Sequence, residues 1–173
     1  MRMELTDDKV TLRDFRTTDA DRMTALANNE RISVNLRDGF PNPYTLADAE
    51  KFLAYAMSFE PQTFFAIEFE GEHVGNIGLL PGSDVYRRTA EIGYFIGEPY
   101  WNKGIATASV NLITRYGFTT LDLVRIHTGV FEYNPVSMHV LEKCGFVREG
   151  VFRKSVIKNG KIWDEIRYAL IRV

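Results

Sequence analysis

The sequence predicts an α/β fold in which a mixed, largely antiparallel, twisted sheet is flanked by about four helices. The β-rich runs 63–69, 73–80 and 89–96 follow one another with only turn residues between them, and consecutive strands joined this closely pair antiparallel. A stretch of helical character then separates 89–96 from a further β-rich run at 124–131, and a helix between two strands returns the chain parallel. The last two β-rich runs flank Lys158, Asn159 and Gly160 and close the chain as a hairpin. The order read along the chain is β-α-α-β-β-β-α-β-α-β-β.

Each element has its own signal. VTLRDF at 10–15 is a short β-rich stretch, and Thr18 has the character of an N-cap for a helix over 19–29. Residues 33–44 hold Gly39, Pro41 and Pro43 among polar neighbours, which predicts irregular chain. Thr45 with Asp48 forms a capping-box pattern, and Leu46, Ala49, Phe52, Leu53 and Ala56 recur at helical spacing after it. Glu70 and Gly71 predict a tight hairpin between the first two central strands. Beyond Gly97 the pattern turns helical over about 104–118. Asn134 and Pro135 open another helix, as N-cap and first-turn proline, that runs to 144 with Gly145 as its C-cap.

With 173 residues, one domain spanning 1–173 is expected, and such a chain buries roughly two-thirds of the surface its unfolded form exposes. The 21 Lys and Arg nearly balance the 23 Asp and Glu. That balance provides no field to draw the protein onto nucleic acid or an anionic membrane, so a small ligand is expected instead. The single cysteine, Cys144, has no partner for an internal disulfide, and no apolar run marks secretion or membrane insertion, which makes the cytoplasm the expected compartment. His73, His127 and His139 lack metal-ligand spacing with one another or with Cys144, so no metal is expected.

YWNKGIAT at 100–107 lies between a predicted strand and a predicted helix. Gly104 lets backbone approach a ligand without a Cβ in the way, and Ala106 keeps the next turn slim. The first amides of a helix have no intrahelical acceptor, and with the positive end of the helix dipole they suit a pyrophosphate. The dipole contributes only about 0.3 to 1 kcal/mol per exposed charge, so several convergent amides are required.

With its neighbours, this loop resembles the coenzyme A motif of the GNAT N-acetyltransferase superfamily, which maps onto Trp101, Gly104 and Ala106. The aromatic Trp101 stands where an Arg or Gln is usual, a departure that is similar to RimJ/RimL-like members. AEIGYFIGE at 90–98 resembles the superfamily's splayed strand, and NPVSMHVLEKCGF at 134–146 resembles its last motif. PNPYTLADAEKFL, around Thr45, is similar to the RimJ/RimL pattern, so the resemblance spans nearly the whole chain.

The resemblance implies a GNAT fold whose sheet splays at an acetyl-CoA site. It implies contacts to coenzyme A from Phe95, Ile96 and Gly97 on the strand, from Trp101, Asn102, Lys103, Gly104, Ile105, Ala106 and Thr107 in the loop and helix start, and from Asn134 and Ser137. The N–H of Ile96 would polarise the thioester carbonyl, a contribution of about 3 to 4 kcal/mol in acyl transfer. Glu91 matches a place where some GNAT enzymes carry a catalytic glutamate and is the candidate base, acting through water. Ser137 is the candidate for meeting the departing thiolate, because Leu141 stands where many members place a tyrosine acid. Asp164 and Glu165 alternate faces on the last strand, so at most one can serve as a secondary base.

The expected reaction is acetyl transfer from acetyl-CoA to a primary amine, most readily the N-terminal amine of a protein. A small amine such as a polyamine, amino acid or antibiotic is the alternative acceptor, and a non-catalytic acyl-CoA-binding module is the alternative class. A dinucleotide oxidoreductase is disfavoured, since no acidic ribose reader follows the loop within a parallel unit. The assembly is expected to be a monomer or a homodimer.

Overall fold

The computed structural model describes residues 4–173; the expected domain span therefore includes three residues outside that range. Its sheet is eight-stranded in the order β1-β2-β3-β4-β5-β6-β8-β7. The strands are β1 (Glu4–Asp7), β2 (Val10–Arg13), β3 (Phe64–Phe69), β4 (Glu72–Pro81), β5 (Thr89–Ile96), β6 (Arg125–Phe131), β7 (Val147–Lys158) and β8 (Lys161–Ile171). The helices are α1 (Ala20–Ala27), α2 (Glu30–Ser33), α3 (Leu46–Ala56), α4 (Ile105–Thr119) and α5 (Pro135–Lys143). Neighbours pair antiparallel except β5 and β6, which are joined through α4 and run parallel.

The sheet separates two apolar cores. Alternation along β5 sends Ala90, Ile92 and Ile96 to one face, where they pack with Ile105, Val110 and Ile113 of α4 and Leu141 of α5. Phe95 points to the other face and joins Met23 and Leu26 of α1 with Ala49 and Leu53 of α3. Burying each of these larger side chains contributes about 1.5 to 3 kcal/mol. The framework is therefore stiff where β5 passes between the helix layers.

Several sequence expectations hold in detail. Thr45 and Asp48 cap α3 reciprocally, with the Thr45 side chain accepting from the Asp48 amide and the Asp48 side chain from the Thr45 amide. Glu70 and Gly71 turn the β3-β4 hairpin with φ of 53° and 84°, and Asn159 and Gly160 turn the β7-β8 hairpin with φ of 51° and 74°. β5 starts and ends where the β-rich run 89–96 does.

Three details differ. Thr18 does not cap α1: a 3-10 turn at Thr17–Asp19 precedes the helix, and the Asp19 carboxylate folds back to accept from the Arg16 amide at 2.8 Å. β1, whose ELTD carries little β signal and is mostly exposed, adds an edge strand ahead of β2. Among the described residues the helices number five, because the single turn α2 forms where Asn29 accepts from the Arg31 amide. That turn is too short to show a periodicity.

Candidate active site

The β5-β6 pairing stops early. Its register runs only through Thr89↔Arg125, Ala90↔Ile126 and Glu91↔His127, after which β6 continues against β8 alone. From Ile92 onward the β6 side of β5 has no strand partner, so the sheet opens as a wedge. The Gly97 amide donates to the Val74 carbonyl on β4, and alternation then aims the Ile96 amide the opposite way, into the wedge. An unpaired, fixed backbone donor at that place suits a carbonyl on which negative charge develops.

On one face of the wedge stand the starts of α4 and α5. Gly104 precedes α4 with φ of 75°, and a Cβ built there meets no atom within 4 Å, so open space lies beside the helix start. No side chain caps α4, and the amides of Ile105, Ala106 and Thr107 lack intrahelical acceptors by geometry. Open space, free amides and a dipole end together fit a pyrophosphate. At the start of α5 the Asn134 side chain accepts from the Ser137 amide at 3.3 Å, and Ser137 Oγ lies 3.1 Å from Tyr94 Oη. Burial pushes the Tyr94 phenol up from its ordinary value, against the opposing effect of the Ser137 hydrogen bond.

On the other face Glu91, Gly93 and Phe95 of β5 share a side with His127, Gly129 and Phe131 of β6 and with Glu165 and Arg167 of β8. Gly93 has nothing within 4 Å of a built Cβ and leaves an open floor. At Gly129 a Cβ would lie 2.2 Å from the Glu165 carboxyl carbon, so a side chain there would displace that carboxylate from its 2.7 Å ion pair with Arg167. Arg167 also donates to His127 Nδ1 at 3.1 Å. Because an arginine only donates, His127 accepts there and is neutral; burial and then Arg167 hold its pKa below the usual imidazole range. Glu91 is ion-paired with Arg37, and Phe40 meets Phe95 edge-on with ring centroids 5.4 Å apart.

This arrangement of a splayed strand, a helix start on one face and a cleft of arginine-paired carboxylates on the other is matched by sequence. Residues 9–147 fit the family model described as acetyltransferase (GNAT) domain. The chain belongs to the GNAT acetyltransferase family. The acetyltransferase is 30% identical over 173 residues to the uncharacterized N-acetyltransferase YoaA of Bacillus subtilis, covering 97% of this chain and 96% of that protein. It is 29% identical to the spermidine N(1)-acetyltransferase of Escherichia coli K12 over 94% of this chain and 86% of the relative. Among solved structures, a GNAT-family acetyltransferase from Bacillus anthracis superposes with a TM-score of 0.86 at 26% identity, covering 98% of both chains.

Within this acetyltransferase the residues singled out by sequence fall into distinct groups. Gly104, Ile105, Ala106 and Thr107 form the helix start, and Asn134 and Ser137 open α5. Phe95 turns its ring into the α1-α3 core, so only its backbone lies at the strand. Trp101 folds back on the strand, its indole Nε1 donating to the Ile96 carbonyl at 2.7 Å, and thereby shapes the loop. Asn102 takes φ of 61° in the tight turn. The Lys103 ammonium rests over the Tyr100 ring, 5.6 Å from its centroid, and near Phe69. Gly97 marks the end of β5, where its amide bonds β4.

Of the two late carboxylates, Glu165 faces the cleft while Asp164 accepts from the Lys154 amide at 2.7 Å. Leu141 is wholly buried in the larger core. Sequence reading passed over the Tyr94 hydroxyl and the His127–Arg167 contact. The available signal for Tyr94 was a polar-tipped ring at a position alternating with Ile92 and Ile96. Among the described residues no group of three His, Cys, Asp or Glu is arranged to hold a metal, and no helix is long and apolar enough to cross a membrane.

Proposed function

We propose that this enzyme is a RimJ/RimL-type acetyltransferase, one domain that transfers the acetyl group of acetyl-CoA to the N-terminal amine of a protein or peptide. The amides of Ile105, Ala106 and Thr107 receive the pyrophosphate beside Gly104, with Trp101, Asn102 and Lys103 shaping that loop. The strand edge at Phe95, Ile96 and Gly97 and the start of α5 at Asn134 and Ser137 flank the pantetheine arm. The acceptor enters from the face of Glu91 and Gly93. Its nitrogen lone pair attacks the thioester carbon, the Ile96 amide supports the oxyanion, and Glu91 takes the amine proton through water. The C–S bond breaks with its electron pair on sulfur, where the Ser137 hydroxyl meets the thiolate.

One observation favours a terminal α-amine over a polycation: the cleft carboxylates Glu91 and Glu165 each carry an arginine partner, Arg37 and Arg167. A matched cleft offers little attraction for a second ammonium group. An α-amine, with a pKa of about 7.7 to 8.0, is partly neutral at physiological pH and needs only a weak base. The Phe40–Phe95 wall suits backbone and uncharged side chains.

A polyamine is the second reading, carried by the 29% identity to the spermidine enzyme over most of both chains. Incubation with acetyl-CoA and equal concentrations of short peptides and spermidine, read by mass spectrometry and thiol release, separates them. Peptide N-termini should show the higher kcat/KM. Faster turnover of spermidine overturns the peptide reading, and the absence of thiol release with either acceptor overturns both.

A further inference from the structure

The Tyr94 phenol has no part in the family chemistry assigned above, yet it occupies the groove. Tyr94 lies on β5 three residues beyond the last β5-β6 pair at Glu91, so it stands where the strand edge has opened. Its Oη reaches across to Ser137 Oγ on α5 at 3.1 Å, closing a bridge between the two walls. The Ser137 backbone is itself fixed, its amide held by Asn134 Oδ1 at 3.3 Å. The position at which a tyrosine acid would be sought, Leu141, points into the core and is 0% exposed. Tyr94 thus brings a phenol to the groove from the strand side.

We propose that Tyr94 is a positioning residue for the leaving group: its phenol donates to Ser137 Oγ and thereby turns the Ser137 proton toward the thioester sulfur. This rests on the reading of Ser137 as the group that meets the thiolate. A hydroxyl that accepts one hydrogen bond has its own proton free for another acceptor, whereas Ser137 donating to Tyr94 would aim that proton away from the sulfur. In the chain O–H···O–H···S each bond polarises the next. When the amine nitrogen bonds to the carbonyl carbon and the C–S bond breaks, the pair stays on sulfur and the amine proton leaves through water to the base. No proton has to leave Tyr94, whose burial makes it a poor acid. A coenzyme thiol resembles free Cys, with a pKa of about 8.5, so a hydrogen-bonded thiolate is an adequate product at neutral pH.

The test uses Tyr94→Phe, Ser137→Ala and the double variant, with CoA-dependent thermal stabilisation to confirm fold and binding. The thiol of bound CoA is titrated by the ultraviolet absorbance of its thiolate, a readout that a packing role would not move. Tyr94→Phe should raise the titration midpoint by about one pH unit and lower kcat about tenfold, equivalent to 1.4 kcal/mol, with CoA affinity unchanged. Ser137→Ala should do at least as much, and the double variant should resemble Ser137→Ala alone. If Ser137→Ala shifts the bound thiol and Tyr94→Phe shifts neither thiol nor kcat, Tyr94 only packs, and the Ser137 reading stands without it. If neither variant moves the bound thiol, the Ser137 reading itself fails and takes the proposal with it. Additive losses in the double variant would show that Tyr94 acts independently and overturn the positioning role.

Discussion

Arg37, in the irregular segment between α2 and α3, is ion-paired across the cleft with Glu91 of β5, although its own side chain is 65% exposed and that of Glu91 only 24%. The same segment is tied down by Tyr133 donating to the Val34 carbonyl, by Lys158–Asp38 at 2.9 Å and by Phe40 on Phe95. Residues 34–40 therefore roof the Glu91 face of β5, and an exposed guanidinium stands at the carboxylate a cationic acceptor would seek. Arg37→Gln should raise kcat/KM for spermidine relative to a peptide by about two- to fivefold, the size of an exposed ion pair. Competition assays with both acceptors check this. An unchanged ratio would mean that Arg37 has no part in selecting the acceptor.

Glu91→Gln keeps size and hydrogen bonding while removing the base. If Glu91 accepts the amine proton, kcat/KM measured in steady-state assays should fall by about 10²- to 10⁴-fold. The glutamine variant should still bind CoA, since Glu91 faces away from α4. Activity within threefold of the parent would move the assignment to Glu165, the other inward carboxylate.

Much of this was legible in the sequence because local rules and tertiary packing agree. The capping box at Thr45, the Glu70-Gly71 turn and the 89–96 strand are each written in adjacent residues. The helix start at Gly104 was legible for the same reason. What sequence could not supply are contacts set by register and by the wedge: Glu91 beside His127, Arg167 over Gly129, Tyr94 against Ser137. Those pairs are separated by 36 to 43 positions and become neighbours only through the parallel crossover and the late β8 insertion. Trp101 illustrates the limit from the other side. Its place in the motif was readable, but its indole bond to Ile96 depends on how the chain turns after β5.

Gly104 sits at φ of 75° with open space where a Cβ would go. Coenzyme A at 100 times its Kd should stabilise the parent by about 2.7 kcal/mol. For a chain of this length that is a rise in Tm of roughly 5 to 11 °C. Gly104→Val should abolish the rise, because the branched side chain fills the space beside the helix amides. It should also lower the Tm without ligand, since the left-handed conformation costs an L-residue about 1 to 2 kcal/mol. A full CoA shift in the variant would make the loop a plain helix start. NAD should give no shift in either protein.

Cys144 lies at the end of α5, its thiol donating to the Thr107 carbonyl at 3.6 Å, and burial pushes its pKa up to about 11. Thiolate is the reactive species, so alkylation at pH 7.5 should be at least tenfold slower than that of an unhindered cysteine with a pKa of about 8.5. Timed iodoacetamide labelling with mass spectrometry measures it. Labelling as fast as a model thiol would show that the end of α5 opens in solution.

The buried network around Arg13 at the end of β2 should set the acid limit of stability. Arg13, 5% exposed at its side chain, binds Asp19 with both terminal nitrogens at 2.8 and 2.9 Å and Glu68 through Nε at 2.6 Å. Burial pushes the Asp19 carboxyl up, but Arg13 and the Arg16 amide outweigh it and hold the pKa below the ordinary value. His73 lies against this group, with Nε2 facing the Asn76 Oδ1 and Gly75 carbonyl acceptors and Nδ1 3.9 Å from Asp19. Nε2 therefore carries the proton, and burial lowers the His73 pKa despite the nearby carboxylate. Both folded-state values are depressed, so both groups give stability that is present above their unfolded pKa and lost as pH falls through the folded one. The histidine loss starts below about pH 6.5 and the carboxylate loss below about pH 3.9. Thermal unfolding at pH 7, 5 and 3 should thus show two successive declines in Tm. His73→Gln should reduce the first, to which the neutral His127 also contributes, and leave the second. Asp19→Asn should cost about 3 kcal/mol at pH 7, because it leaves the buried Arg13 charge with Glu68 alone, and should reduce the second decline. A parent Tm that stays level from pH 7 to 5 would show that His73 is free to protonate in the folded state.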